Sequence, residues 1–590
     1  MKLNKFNKLL KEEYENTFKD VDIKIENKKR SIHKILIPVY SFVALILIAL
    51  LAIGIDVVSV NNYNSGVDKF VSDYNEGLQS LSSDELLNVK TKSNFDNIIK
   101  KYNLEKKTAF INSFNSSNKG SLDISQGFPT TIPGAIMTTP SSGAPSTMSP
   151  GVSDSSSINT NTQYDDVDEA DIAKCDGKYI YYCYNGVLVV YDLLGSLIGR
   201  YNTLGKIISM YVYNENIVLF YSKDLKRYVE IFNIDNDLSK AYSKEINYYD
   251  SRLHNNELFI CQKIQIESEE IDYCNLYYDG YTLPSMLYEI IKINLDNLDI
   301  KSISISGNYD SYLHVTNNYI SLASTNRCFN SIERYTVISV FDTDLKPVGV
   351  LKAKGYIYSQ FALNEKNDVF YVVTTDTSAE NCKWNQISIF DLKTLDRVGY
   401  LNEGIGLSRH TVRSVRYSGD SCFIVTYENQ DPLYEIDLTD ITNPKIVESL
   451  EAPGYSAYLH EFTINDTNYL LGVGYTDFNS NIKISVYKTS DNNVQIGEDY
   501  LLSHTDFYGC KIDYKAYFFY NDSNYLYFGL GSNSYESKYQ ILKIDVNYDS
   551  ETEDVCSLYK SIEISTNTRC FYIDGNIYIP QLDGLIITAL

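Results

Sequence analysis

Three observations in this sequence predict an all-β fold, a β-propeller of about eight four-stranded blades. From Ala170 to Leu590 one plan repeats about every fifty residues: a strand, a tight turn, a second strand, then a third strand ending in a short acidic segment. In the copy that opens at Ala170, the turn signals Asp176-Gly177 and Asn185-Gly186 separate runs of strand formers. The chain also holds 53 tyrosines, which with Ile, Val and Phe suit pleated, half-buried surfaces. Units of this size cannot bury an apolar face alone, so they stack on their neighbours.

The elements follow in chain order. Residues 1–34 read as a cytoplasmic segment with a loosely amphipathic turn series at Phe6, Leu9, Leu10 and Tyr14. A transmembrane helix is expected over 35–57, because Ile35 to Ile55 is a run of twenty-one residues without a charge. Lys28, Lys29, Arg30 and Lys34 precede it and Asp56 follows, which places the N-terminus in the cytoplasm and the remainder outside. Residues 58–118 form an expected extracytoplasmic helical region, with a capped start at Ser82-Ser83-Asp84-Glu85 and an amphipathic series from Asn94 to Tyr102. Residues 119–163, rich in Ser, Thr, Pro and Gly, read as a flexible linker, and 164–590 as the propeller domain.

Within that domain the second strand recurs as Asn216-Ile-Val-Leu-Phe-Tyr221, Val369-Phe-Tyr-Val-Val373 and Tyr469-Leu-Leu-Gly-Val473. The third recurs as Val189-Val-Tyr-Asp192, Ile338-Ser-Val-Phe-Asp342, Ile387-Ser-Ile-Phe-Asp391 and Ile541-Leu-Lys-Ile-Asp545. Eight blades fit best, within a range of seven to nine, because the final copy reaches Leu590 without a fourth strand. An early strand is expected to complete that last blade.

Charge and cysteine narrow the function classes. Residues 1–34 hold ten of the 52 Lys/Arg and six of the 76 Asp/Glu, which leaves the rest of the chain at −28. That argues against nucleic acid as a partner, since phosphate binding needs basic patches. The ten cysteines, all beyond residue 56, permit disulfides, but their spacing holds no C-x-x-C pair and suits small buried strand residues. A two-residue loop at Asp176-Gly177 sets Cys183 opposite Ala170 and Cys175 opposite Lys178, so these two are not bridged.

Two patterns could carry chemistry. The run Asp165, Asp166, Asp168, Glu169 and Asp171 offers hard oxygen ligands, and Asp166, Asp168, Glu169 and Asp171 are the candidate metal ligands, with calcium as the ion. Against that, the run lacks an EF-hand loop, and an extended backbone splits it between two faces. The second pattern is a hexad in three copies, Tyr249 to His254, Tyr309 to His314 and Tyr455 to His460. Each copy precedes a second strand and therefore lies on an innermost strand, which makes His254, His314 and His460 candidates to line the channel. The competing explanation is that each imidazole satisfies a local backbone group at a duplicated position. No nucleophile elbow, Walker loop or H-E-x-x-H motif is present.

The stretch from Asn161 to Tyr181, with Tyr164-Asp-Asp-Val-Asp-Glu-Ala-Asp171, resembles the opening signature of a family of secreted or membrane-anchored prokaryotic propeller proteins distantly similar to WD repeats. Arg413-Ser-Val-Arg-Tyr-Ser-Gly-Asp-Ser-Cys-Phe-Ile-Val-Thr-Tyr427, Asp431-Pro-Leu-Tyr-Glu-Ile-Asp437 and Pro453-Gly-Tyr-Ser-Ala-Tyr-Leu-His460 resemble its middle. The likeness covers about residues 161–590, and more weakly 82–103. It implies a cell-surface propeller with no assigned chemistry. The chain departs from that pattern in its cysteines and its C-terminal end.

The functional expectation is a single-pass cell-membrane protein whose extracellular propeller is a binding or scaffolding module for an envelope polymer or a surface protein, with no cofactor beyond the calcium considered above. The alternative is an extracellular hydrolase or quinoprotein-like enzyme with its site at the channel mouth. The tyrosines are consistent with sugar stacking as well as with strand packing.

Overall fold

In the computed structural model the described residues are 85–100, 156–157 and, with short breaks, 160–590. The expected cytoplasmic segment, transmembrane helix and most of the linker lie outside them. No helix among the described residues is long and apolar enough to cross a membrane.

The described strands form nine sheets, against the eight blades expected. In chain order they span 173–202, 206–246, 248–307, 311–354, 363–401, 411–452, 455–501, 518–563 and 571–589, called sheets 1 to 9 here. Each of the first eight begins with an inner strand and runs outward through antiparallel neighbours, and sheet 3 adds Leu276–Tyr278 in parallel beyond Ile300–Gly307.

Their second strands are apolar on both faces, because each sheet lies between two others and alternate residues serve alternate neighbours. Ile217 and Leu219 of sheet 2 pack with Tyr181 and Cys183 of sheet 1, while Val218 and Phe220 turn to Leu258 and Ile260 of sheet 3. The same hand-over continues through Phe259 and Leu322, Ile338 and Val372, Ile389 and Ile424, Phe423 and Leu470, and Leu471 and Phe528. Ile541 of sheet 8 meets Ile577 of sheet 9, and Tyr578 of sheet 9 meets Ile180 and Val189 of sheet 1. The order of packing therefore closes into a ring. Across that seam the Tyr182 hydroxyl reaches Thr566 Oγ1 (2.7 Å) and donates to Asn567 O (2.6 Å), and Tyr191 donates to Gln581 O (3.0 Å).

The recurring Asp at the end of the third strand is a turn device. The carboxylate of Asp192 accepts from the backbone N–H groups of Leu194 (3.0 Å) and Ser196 (2.7 Å). Asp342 accepts from Asp344 and Lys346 (2.9 and 2.8 Å), and Asp391 from Lys393 and Thr394 (2.7 and 3.1 Å). Each side chain supplies acceptors where the chain reverses toward the fourth strand and backbone partners are missing.

Turn chemistry also decides register. Asn185 and Gly186 both adopt positive φ (45° and 85°) and join Tyr184 to Val187 in the two-residue hairpin expected. The preceding turn differs. Cys175 pairs with Ile180, not with Lys178, because Asp176 Oδ1 accepts from the N–H of Lys178 (2.8 Å) and of Tyr179 (2.6 Å) and lengthens the loop. All seven described cysteines are free, and Cys183, Cys261, Cys422, Cys556 and Cys570 are buried in sheets or beside them.

One other expectation changes. Leu87–Asn88 is a strand added to sheet 3 beside Tyr277 and Tyr278, where a helix was expected. The helix described begins at 92, with Thr91 Oγ1 accepting from Asn94 N (3.2 Å), and its Phe95 is buried with Leu276 and Leu287. The early strand Ser156–Ser157 completes sheet 9 as expected, as a fourth strand beside the first, Phe571–Ile573. The reason is the path of the chain that follows it, which runs along inner edges.

Candidate functional site at the centre of the ring

Residues 160–171 run past the inner edges of the sheets. Asn161 Nδ2 donates to the hydroxyl of Tyr458 in sheet 7 (2.7 Å) and to Tyr514 O ahead of sheet 8 (3.0 Å). Gln163 Nε2 donates to Leu363 O at the start of sheet 5 (3.1 Å). The Tyr164 hydroxyl bonds His314 Nε2 of sheet 4 (2.8 Å) and Asn364 Oδ1 of sheet 5 (2.9 Å). Val167–Asp168 pairs with Leu253 and His254 of sheet 3, and Asp171 exchanges two backbone hydrogen bonds with Met210 of sheet 2 (3.1 and 2.8 Å). Short as this segment is, its polar atoms are matched to strands hundreds of residues away.

The acidic run is divided among separate cations. Lys174 Nζ lies 2.5 Å from Asp168 Oδ1. Glu169, 1% exposed, has Lys515 Nζ 3.2 Å from Oε2 and Arg252 Nε 3.8 Å from Oε1, and Tyr514 also donates to it. Arg569 holds both oxygens of Asp171, with Nε at 3.0 and 2.9 Å and Nη2 at 2.8 Å. Asp165 is one of the charges acting on buried Arg416, whose Nη2 is 3.7 Å from Glu461 Oε2. Asp166 contributes its carbonyl to His254 Nδ1 (2.9 Å).

The expected calcium ligands Asp166, Asp168, Glu169 and Asp171 therefore do not converge. Among the described residues no group of three or more His, Cys, Asp or Glu is arranged to hold a metal ion. The physical reason is that a buried carboxylate must be paired: Asp168, Glu169 and Asp171 are held by separate cations, while Asp166 is exposed.

Burial alone would raise the Glu169 carboxyl, but Arg252 and Lys515, with the Tyr514 hydrogen bond, draw it down to about 2. It stays ionised and saturated with donors, unfit for proton transfer near neutrality. His314 is lowered to about 3, first by burial and then by the positive field of Arg252. His460 is lowered well below its ordinary value by burial and Arg416, and its ring lies flat on Phe519 with centroids 3.4 Å apart.

All three hexads lie on first strands, 248–254, 311–315 and 455–464. Their histidines are not gathered into one site: His254 meets Asp166 O, His314 meets Tyr164, and His460 meets Phe519. Sequence reasoning missed the inward cations. Their signal was a basic residue within a first strand, at Arg252 and Arg416.

The family model described as "Beta propeller domain" matches residues 157–272 and 262–588. The chain belongs to the beta propeller domain family. An uncharacterized protein of Methanocaldococcus jannaschii is 26% identical to this propeller protein over 527 residues, covering 72% of this chain and 81% of that one. An uncharacterized protein of Archaeoglobus fulgidus is 32% identical over 247 residues, 41% of this chain and 35% of that one. Among solved structures, the propeller resembles the β-propeller domain of the trilobed protease from Pyrococcus furiosus (TM-score 0.29, 11% identity, 58% of this chain and 98% of that chain). It also resembles the WD40 domain of SCAP from fission yeast (TM-score 0.32, 9% identity, 65% and 92%). These two likenesses carry no functional argument.

Proposed function

We propose that this propeller is a membrane-anchored, extracytoplasmic binding module for an envelope polymer or surface protein, a ring of nine blades distantly akin to WD repeats. The observation that carries the binding reading is the filled centre. The chain's own residues 160–171 occupy the inner edges, and their carboxylates are neutralised by Lys174, Arg252, Lys515 and Arg569. An enzyme working at the channel mouth needs carboxylates or imidazoles free to exchange protons or hold a metal. The described ones at the centre are committed to the fold, which favours binding over the hydrolase or quinoprotein-like alternative. The anchor rests on the uncharged run from Ile35 to Ile55 and the basic cluster before it.

The test is retention of the purified full-length protein by isolated envelope fractions of the host cell, with protease accessibility of the propeller in intact cells reporting its side of the membrane. Retention with exposure to added protease supports the reading. A propeller protected in intact cells, or one that no envelope fraction retains, overturns it.

A further inference from the structure

One arginine of the propeller stands apart from those at the centre. Arg252, Arg416 and Arg569 each face a carboxylate. The guanidinium of Arg413 instead sits among ring faces, its Cζ 5.6 Å from the ring centroid of Tyr358, 5.7 Å from Tyr427 and 5.6 Å from Tyr455. Its Nε is buried with no hydrogen-bond partner, and no carboxylate among the described residues pairs with it. The backbone explains the placement. In the first strand of sheet 6, Val412 pairs with Thr426 and Ser414 with Val425, so Arg413 is the extra residue of a bulge, which re-aims its side chain out of the ladder.

The walls come from three places. Tyr358 precedes sheet 5, Tyr427 ends the second strand of sheet 6, and Tyr455 opens sheet 7, with the rings of Tyr427 and Tyr455 4.7 Å apart. Tyr358 is 42% exposed, so the group opens to solvent. Beside it Arg334 lies 4.9 Å from the ring of Tyr356.

We propose that this cluster is a binding site for a carboxylate-bearing sugar, a hexuronate unit of an acidic polysaccharide. The proposal rests on the binding-module reading and gives it a ligand class. A guanidinium is planar, carries five donors and matches a carboxylate in bidentate fashion, and here that fork is unspent by the protein. Tyrosine faces are electron-rich and apolar with a polar tip, which suits the C–H face of a pyranose ring and its hydroxyls. An acidic peptide would supply the carboxylate but no flat ring for the walls. The chain beyond residue 34 carries −28, so general attraction of polyanions is disfavoured and a bound one must be held by specific contacts.

The experiment is calorimetric titration of the purified full-length protein with tetragalacturonate, its neutral counterpart cellotetraose, an oligoglutamate peptide and inorganic polyphosphate. The expected result is saturable binding of tetragalacturonate alone, weakened about tenfold or more in Arg413→Gln and in Tyr358→Ser, each with an unchanged melting profile. Arg413→Lys, which keeps the charge but loses the fork, falls between. Equal binding by Arg413→Gln, or equal binding of the neutral sugar, the peptide or polyphosphate, overturns the assignment. Retention by envelope fractions without any affinity for tetragalacturonate also overturns it while leaving the binding-module reading intact. Failure of the wild type in both assays removes both.

Discussion

The centre of the ring and the rim at Arg413 use the same residue types in opposite ways. At the centre, Glu169 is enclosed by Arg252, Lys515 and Tyr514, and Asp171 by Arg569, so each buried charge has an internal counter-charge. At the rim the Arg413 cation meets three tyrosine faces and its Nε meets no acceptor. Low-dielectric surroundings make an unpaired charge costly, so the centre must be complete to fold, whereas a partly exposed cation tolerates an open fork. The contrast teaches where to look for a ligand: at the charge the fold does not use.

Five outcomes bear on that contrast, the largest first. Glu169→Ala removes the carboxylate paired with Lys515 and leaves Arg252 with the carboxylate of Asp250 (2.7 Å) alone, and should cost about 3–5 kcal/mol in chemical denaturation. A loss under about 1 kcal/mol would mean that the centre is wetter than this packing implies.

Acid should reach the centre before the rim. His314 in the folded protein is lowered from 6.5 to about 3 by burial and then Arg252, and His460 is lowered as well. Below about pH 6.5 the unfolded chain binds protons at these positions that the folded chain refuses, so stability falls as pH falls, by about 1.4 kcal/mol per pH unit for each such group. Glu169, lowered from 4.5 to about 2, adds its own loss as pH falls from about 4.5 toward 2. Denaturation midpoints followed from pH 7 to acid should slope accordingly, and replacing both His314 and His460 by Asn should remove the slope that begins near pH 6.5 and leave the Glu169 loss below about 4.5.

Smaller changes probe the local devices. Asn185→Val places a β-branched residue at a φ of 45° and should cost about 1–2 kcal/mol by thermal melting. Tyr182→Phe removes the hydroxyl that links sheets 1 and 9, and a loss of about 1 kcal/mol is expected; no change in melting would show that apolar packing alone closes the seam. Arg413→Gln should cost the least, within about 0.5–1 kcal/mol, because a partly exposed cation over rings contributes little to folding. A large loss there would make Arg413 a structural element like Arg252, and the contrast between centre and rim would collapse.

Much of the fold was legible because it is local. The Asn185-Gly186 hairpin, the apolar second strands and the Asp that ends the third strand in five of the sheets follow from backbone preference and from period-two burial. The Cys175 register was missed because Asp176 gathers two backbone N–H groups and enlarges a turn whose Asp-Gly pair alone reads as tight. The strand at Leu87–Asn88 was missed because its partner, Tyr277–Tyr278, is remote in sequence, so tertiary pairing overrode a helix-like local pattern.

The candidate site divides in the same way. The hexads announced the innermost strands, and the acidic run announced that residues 165–171 are unusual. By itself the sequence determined the repeat, its turns and the burial of both sheet faces, since each depends on neighbours a few residues apart. Only the tertiary structure decided that Asp171 meets Arg569 and that Glu169 meets Tyr514, partners separated by 398 and 345 residues. The physical reason is that a carboxylate carries no record in its own segment of which cation will neutralise it. That choice is made when the ring closes and sets distant inner strands around one lead-in segment.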